Sequence, residues 1–457
     1  MYDTPKALRS RDSDRRRRYE QHLQFYRGAQ WPTTRSQWTR QGGARQLVFN
    51  YARTFIVKTA SYTMNDLTFT AEPLDKTPRA IADAAAAELA LAQVAEQNAL
   101  DVLDFDNEID CSVLGDAAYK VTWDPVEGRV RVTAPDVTGL YVWRRPDDAN
   151  TVYRVAQRYT LPAADADELY AFKSTRRTAE LIEDWTLETF TTWLDGAVVE
   201  SVPNPYGFIP YVVYPNISEP KKEWGESDLP AIIDSARELN RLLTQLSSIA
   251  ELSGNPIAVL AGVTESVDIA VQPGALWELP EGAKAYLLDL LNGGGVALML
   301  QYAELVRTTL HDLAESPRSA FGDNPQGLSG VALKVSLDPL VKKINRKRLI
   351  RTRALILRNG MILALLETYA GLDAAVAAHT LRPSWGDVNP NDRTRDIADS
   401  VAAINVGLFS RHHAASELGV PDPEDELARW LDESKRIAAV QPTQAPTPAK
   451  LNPDPAV

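Results

Sequence analysis

Ser227-Asp228-Leu229-Pro230-Ala231-Ile232-Ile233-Asp234-Ser235-Ala236-Arg237-Glu238-Leu239-Asn240-Arg241-Leu242-Leu243-Thr244-Gln245-Leu246-Ser247-Ser248-Ile249-Ala250 is the stretch on which the architecture turns. Leu229, Ile232, Ala236, Leu239, Leu243, Leu246 and Ala250 follow one another at alternating steps of three and four. That spacing holds one apolar seam along one side of a helix, and at ~1.5 Å per residue the seam is ~35 Å long. Gly254-Asn255-Pro256 stops it. A second such helix is expected from about Val296 to Glu315, with Met299, Ala303, Val306, Leu310 and Leu313 on one face and Pro317 at its end. Between the two, residues 256–291 are short, strand-like and rich in Pro and Gly.

Downstream, Arg318 to Gly330 is a Gly/Asn/Pro/Ser loop. A long helix is then expected from Val331 to about Tyr369, interrupted at Pro339, where a proline removes a backbone donor and kinks a helix. A linker around Pro383–Pro390 leads to a small helical unit, 391–440, and from Gln441 the chain is Pro/Ala/Thr-rich and expected to be disordered. Upstream, 113–215 alternates as strands do, at Ala118–Trp123, Arg129–Thr133, Val152–Tyr159, Glu180–Asp184, Thr186–Leu194 and Ile209–Tyr214. Asp124-Pro125-Val126-Glu127-Gly128 is a turn composition. Three helices precede this region. Residues 7–28 and 50–65 read as surface or interface elements, and 78–99 as an alanine-rich helix with Ile81, Ala85, Leu89, Ala92 and Ala95 on its apolar side. The class is α+β.

The 457 residues carry 49 basic and 61 acidic side chains, a net charge of −12. An acidic chain is a poor general binder of nucleic acid, because affinity there comes largely from neutralising phosphates. Any DNA contact must be local or weak. The single cysteine, Cys111, reads as a core thiol in a protein that matures in a reducing compartment. The N-terminus lacks the apolar segment of a signal peptide, and no apolar run reaches the ~18 residues of a membrane span. The sequon Asn216-Ile217-Ser218 is then accidental.

Signatures of chemistry are sparse. No Gly-rich loop ends in Lys-Ser/Thr, so there is no P-loop. Asp104, Asp106, Glu108 and Asp110 imitate a calcium loop, but Ile109 stands where the turn needs glycine, and an acidic helix face fits better. Pro421-Asp422 with Glu433-Ser434-Lys435 matches a nuclease pattern, yet Leu427, Trp430, Leu431 and Ile437 put it along a helix, where carboxylates do not converge on a metal. His412 and His413 diverge on a helix, and His311 reads as structural. No catalytic residue, cofactor or metal is expected. The strongest charge feature is 342–358, with Lys342, Lys343, Arg346, Lys347, Arg348, Arg351, Arg353 and Arg358 and no acid. It reads either as a solvated or intersubunit ion-pairing face or as a phosphate contact.

The order of segments resembles the portal proteins of tailed phages, above all the siphophage branch of Gram-positive hosts. Tyr26-Arg27-Gly28, Asn50–Arg53 with Val57–Tyr62, Leu114-Gly115-Asp116-Ala117-Ala118-Tyr119, Asn204–Pro210, Gly225-Glu226-Ser227-Asp228-Leu229 with Asn240, Ser329–Lys334 and Ile404–Glu417 are similar to stretches of that family, and the resemblance in their order and spacing extends over most of 20–440. Arg15–Arg18 has no counterpart in the pattern.

The resemblance implies a portal fold. Its parts are a β-rich wing (1–225), a first stem helix (226–253), a small α/β clip (254–295), a second stem helix (296–317) and a tunnel loop (318–330). A long kinked helix (331–385) and a helical crown (386–440) follow, with a disordered tail (441–457). It further implies a homo-oligomeric ring, a dodecamer in most members, at one capsid vertex of the virion, assembled in the host cytoplasm with no membrane. Double-stranded DNA would pass through without sequence preference. The partners would be the terminase large subunit, the head–tail adaptor and the major capsid and scaffolding proteins. Within the tunnel loop, Arg318, Asp323, Asn324, Gln326 and Gly327 would face DNA, and Lys334, Lys342, Lys343, Arg346 and Lys347 would touch DNA or a neighbouring subunit. The competing readings are a metal-dependent nuclease resting on Glu433 and Lys435, and a tail or baseplate adaptor ring.

Overall fold

The computed structural model describes residues 8, 11–31, 46–148, 150–254, 258–261, 282, 284–287, 294–323, 330–388, 393–420 and 423–440. The chain divides into two units, Met1–Val388 and Asn389–Val457. It is 54% helical and 19% strand, with the two segregated along the chain, which bears out the α+β class.

The first unit opens with helices α1 (Ser13–Tyr26) and α2 (Tyr51–Thr63). Both were expected as surface or interface elements, and within the chain both contribute to the core. Tyr19 and Phe25 of α1 and Ala52, Phe55 and Ile56 of α2 are buried in the largest apolar cluster of the molecule. Asn50 caps α2 by accepting from Arg53 N at 3.1 Å. Helix α3 (Pro78–Asn98) begins as expected, with proline in its first turn and Thr77 as cap. Its apolar side is not the expected one. Ala80, Ala84, Ala87, Leu91 and Val94 are buried, whereas Ile81 and Leu89 are 53% and 61% exposed. The sequence carries two apolar stripes of similar make-up, and the one that includes Leu91 and Val94 packs inward.

Helix α4 (Leu100–Leu114) leads into a three-stranded antiparallel sheet ordered β3-β2-β9, from β2 (Asp116–Asp124), β3 (Arg129–Thr133) and β9 (Tyr211–Pro215). Its hairpin turn is the expected one: Asp124 accepts from Val126 N and Glu127 N, and Gly128 takes φ +64°. A five-stranded antiparallel meander follows, from β4 (Leu140–Arg144), β5 (Val152–Pro162), β6 (Thr178–Thr186), β7 (Thr189–Leu194) and β8 (Ala197–Pro203), with helix α5 (Ala163–Tyr170) between β5 and β6. Strands β4 and β8 were not foreseen. The first is an unbroken apolar run and the second is exposed along its whole length, so neither alternates.

The quoted stretch forms helix α6 (Ile233–Gly254), preceded by a turn at 229–232. It packs against α7 (Gly295–Leu313) through Leu239 and Leu242 against Ala303 and Val306. Of the expected insert, β10 (Ala258–Ala261) and β11 (Lys284–Leu287) pair as an antiparallel hairpin. Helix α8 is a single helix from Gly330 to Ala370, and Pro339 lies within it, so the expected interruption does not break it. A short helix α9 (Ala374–Ala377) and strand β12 (Leu381–Ser384) follow. Strand β12 pairs with β1 (Thr68–Ala71) near the N-terminal helices. The stretch expected as a linker from Pro383 is therefore partly sheet, and it ties the chain after α8 back to the segment that follows α2. The second unit holds α10 (Arg393–Asn405), α11 (Arg411–Glu417) and α12 (Pro423–Val440). The tail from Gln441 lies outside the described residues.

Candidate functional site

The basic run of α8 falls on two faces of one helix. Lys343, Lys347, Arg348, Arg351 and Arg358 point inward and are buried, whereas Lys342, Arg346 and Arg353 point outward. The inward cations meet carboxylates brought from far away in sequence. Lys347 Nζ donates to Asp228 Oδ2 at 2.6 Å and to Ser112 Oγ at 2.9 Å, with Glu108 at 3.7 Å. Arg351 holds Glu108 through both carboxylate oxygens at 2.7 and 3.0 Å, and also donates to Asn216 O and Oδ1 at 2.6 and 2.7 Å. Arg358 donates to Asp104 at 2.5 Å with its guanidinium over the Tyr119 ring. Lys343 donates to Ala314 O at 2.9 Å and stands 3.7 Å from Asp228. Arg348 donates to the carbonyls of Tyr62, Thr63 and Gly386, so it caps the C-terminal end of α2 and pins the return from β12.

The basic run is thus neither a solvated face nor a phosphate contact along its inner side. Lys343 and Lys347 are 7% and 1% exposed and are partnered within their own chain, which removes them as contacts to DNA or to a neighbour. The acidic helix face of α4 is likewise half corrected: Asp104 and Glu108 are buried partners of these cations.

The electrostatics follow from burial and proximity. Burial raises the Asp228 carboxyl, but Lys343 and Lys347 outweigh it and hold it well below the usual carboxylate range. Burial lowers the Lys343 ammonium, assisted by Lys347 and opposed by Asp228. Cys111, the expected core thiol, is fully buried, and burial pushes its titration up. Three cations (Lys343, Lys347 and Arg351) share two carboxylates (Asp228 and Glu108), so Lys343, which leans on a carbonyl, is the least well compensated.

A second polar joint lies beside the first, and the family-like stretches build it. Asp116 accepts from Tyr19 OH at 2.5 Å and from Gly225 N at 2.8 Å. Ser227 Oγ donates to Val113 O at 2.6 Å. A Cβ on Gly225 would lie 2.3 Å from Gly115 O, so the two backbones cross in contact, and Gly115 takes φ +104°. Asn240 joins α6 to the N-terminal segment, accepting from Phe49 N at 2.8 Å and donating to Gln30 at 2.6 Å. Arg15 acquires a place here: it is 3% exposed, donates to Leu140 O at 2.6 Å and lies 3.8 Å over the Trp224 ring. Asn216 of the apparent sequon is fully buried and hydrogen-bonded to Glu226 O and Asp228, so it is a structural residue.

Of the expected loop residues, Asn324, Gln326 and Gly327 lie outside the described residues. Arg318 is half-exposed and held in chain by Glu304 at 2.5 Å and by Asp323. His311 is buried, accepted edge-on by Phe55 and Phe321, with Nδ1 2.8 Å from Ser316 O. Of the outward cations, Lys342 pairs with Asp338 at 2.7 Å and Arg346 with Glu315 at 2.6 Å, while Lys334 is exposed. Glu433 and Lys435 lie exposed along α12, and Pro421 and Asp422 lie outside the described residues. Among the described residues, no group of three or more His, Cys, Asp or Glu could hold a metal ion, and no helix is long and apolar enough to cross a membrane. Asp228 and Asn216 are the site residues that sequence reasoning missed, since nothing in their local spacing marks them.

Buried charge joins α8 to α4 and to the turn that precedes α6, and the comparison with known families gives the class: the chain belongs to the phage portal proteins. The matching family model, phage portal protein, SPP1 Gp6-like, spans residues 6–439. These are bacteriophage head–tail connectors that serve DNA packaging. Members are generally not enzymes, and they belong at the capsid portal vertex. A search of curated proteins returned no match.

Proposed function

We propose that the chain is one subunit of a ring, a dodecamer by analogy with its family, that forms the channel through which double-stranded DNA enters and leaves the capsid. The observation that carries this reading is the family match over 6–439. In it, α6 and α7 are the two stem helices, the β10–β11 insert is the clip, 318–330 is the tunnel loop, and the second unit is the crown. The clip would dock the terminase large subunit during packaging and the head–tail adaptor afterwards, with capsid and scaffolding proteins around the wing. The chain works as conduit and platform and catalyses nothing. Its net charge of −12 supports passage without capture, because a channel that bound phosphates tightly would brake the DNA. Arg318 tied to Glu304 and Asp323 fits the same economy of free cations. Negative-stain electron microscopy of the purified full chain, with its mass measured in parallel, tests the proposal. Closed rings with a central channel are expected. A monodisperse monomer that cleaves DNA with added Mg2+, and loses that activity on Glu433→Ala, would overturn it.

A further inference from the structure

The stripe of α3 that the sequence marks as apolar is left bare by the fold, and so is a stripe of α8. Ile81 and Leu89 are 53% and 61% exposed, and Leu349 and Leu357 are 75% and 50% exposed. Each pair is eight positions apart, so each spans ~12 Å along its helix. The inner faces of the same two helices share one core, Ala84, Leu91 and Val94 with Ala354, Leu355 and Ile362. The bare stripes therefore point away from that common core on opposite flanks, the arrangement that a head-to-tail contact between copies requires.

Charge selects both the occupant and the direction. Seven positions beyond Leu89 the α3 stripe carries Glu96, and seven positions before Leu349 the α8 stripe carries Lys342, whose own-chain pair with Asp338 is solvent-exposed and open to exchange. Laid antiparallel, Ile81, Leu89 and Glu96 face Leu357, Leu349 and Lys342 in one register. Laid parallel, the leucines still match, but Glu96 faces Ala364 and the cation is lost. An open groove lined by Lys342, Arg346, Leu349 and Trp385 sits on the α8 side and can receive a projecting side chain. The small residues Ala85, between Ile81 and Leu89, and Ala92, between Leu89 and Glu96, allow close approach.

We infer that the outer stripe of α3 in one copy docks antiparallel on the outer stripe of α8 in the next, as a seam of the ring, with Ile81 against Leu357, Leu89 against Leu349 and Glu96 against Lys342. The inference rests on the ring reading above. Its experiment uses the full chain with cysteine pairs Leu89→Cys with Leu349→Cys, and Ile81→Cys with Leu357→Cys, treated with a short bis-maleimide. The native Cys111 is buried and its thiol held protonated, so it serves as the unreactive background.

A denaturing gel should show a covalent ladder running beyond the dimer for both pairs, and at most weak products for the parallel-register pairs Ile81→Cys with Leu349→Cys and Leu89→Cys with Leu357→Cys. Far-ultraviolet circular dichroism equal to the parent excludes misfolding as the cause of a negative. Wild-type rings under the microscope without a ladder overturn this seam and leave the ring reading intact. Wild-type monomers without a ladder overturn both. Loss of plasmid DNA retention in Lys342→Ala/Arg346→Ala, with no ladder in the cysteine variants, would assign the α8 face to nucleic acid and overturn the seam.

Discussion

Lys347 has no exposed side-chain surface, and among the described residues its ammonium is met by Asp228, Glu108 and Ser112. Removing it leaves two carboxylates buried with one fewer cation, and breaking a buried pair from one side costs about 3–5 kcal/mol. Lys347→Met should therefore lower the chemical-unfolding stability of the chain by roughly that amount. Lys343→Met should cost much less, because Lys343 is the surplus cation and its firmest bond is to a carbonyl. Equal losses in the two variants would contradict this ranking. The pH dependence follows from Asp228, whose folded titration is depressed by its two lysines. Its contribution is fully present above the unfolded carboxylate value near ~4 and is lost as pH falls below that value. Thermal melts from pH 7 to 3 should show a shallower acid slope for Asp228→Asn than for the parent, from a lower starting stability. This site was illegible in the sequence for a plain reason: the cations could be seen as a run, but their acids stand 119 and 243 positions away, and local spacing says nothing of which charges will meet.

At the scale of elements, helix α8 docks on α4 through charge as well as through apolar packing. Arg351 with Glu108 and Arg358 with Asp104 pair the two helices in antiparallel order. A fully buried ion pair gives little net stability over a well-packed apolar substitute, but each half without the other is costly. The expectation is a strongly non-additive double-mutant cycle: Glu108→Gln and Arg351→Met each destabilise by about 3–5 kcal/mol, and the double variant recovers most of that loss. Additive losses in urea unfolding would mean the pair is not the joint. The same scale shows what pattern can and cannot give. The seam of α6 was readable because Leu239 and its neighbours do pack on α7. The face of α3 was misread because periodicity reports an apolar stripe without reporting whether the chain itself or another copy covers it. Strand β8, exposed along its whole length, lacked the alternation that burial on one side imposes.

For the whole molecule, the question is how an acidic portal protein would handle a polyanion on the channel reading proposed above. Five of the eight cations between 342 and 358 are buried, and Lys342 and Arg346 are paired with acids of their own chain. Arg318 at the loop is paired as well. The 342–358 run and Arg318 thus offer few free cations, so on the proposed reading assembled rings should release few counterions when they hold DNA. Each phosphate neutralised contributes about −0.9 to the slope of log affinity against log salt on duplex DNA. A shallow slope, of about one or two for the whole ring, is expected when retention of a blunt duplex by purified rings is measured between about 50 and 200 mM salt. Retention should also be the same for duplexes of different sequence, because contacts confined to phosphates carry no base information. A fall of about a thousandfold over that salt range is the behaviour of a protein gripping six or more phosphates. It would mean that exposed cations such as Lys334 or the residues of 324–329 hold DNA rather than let it slide.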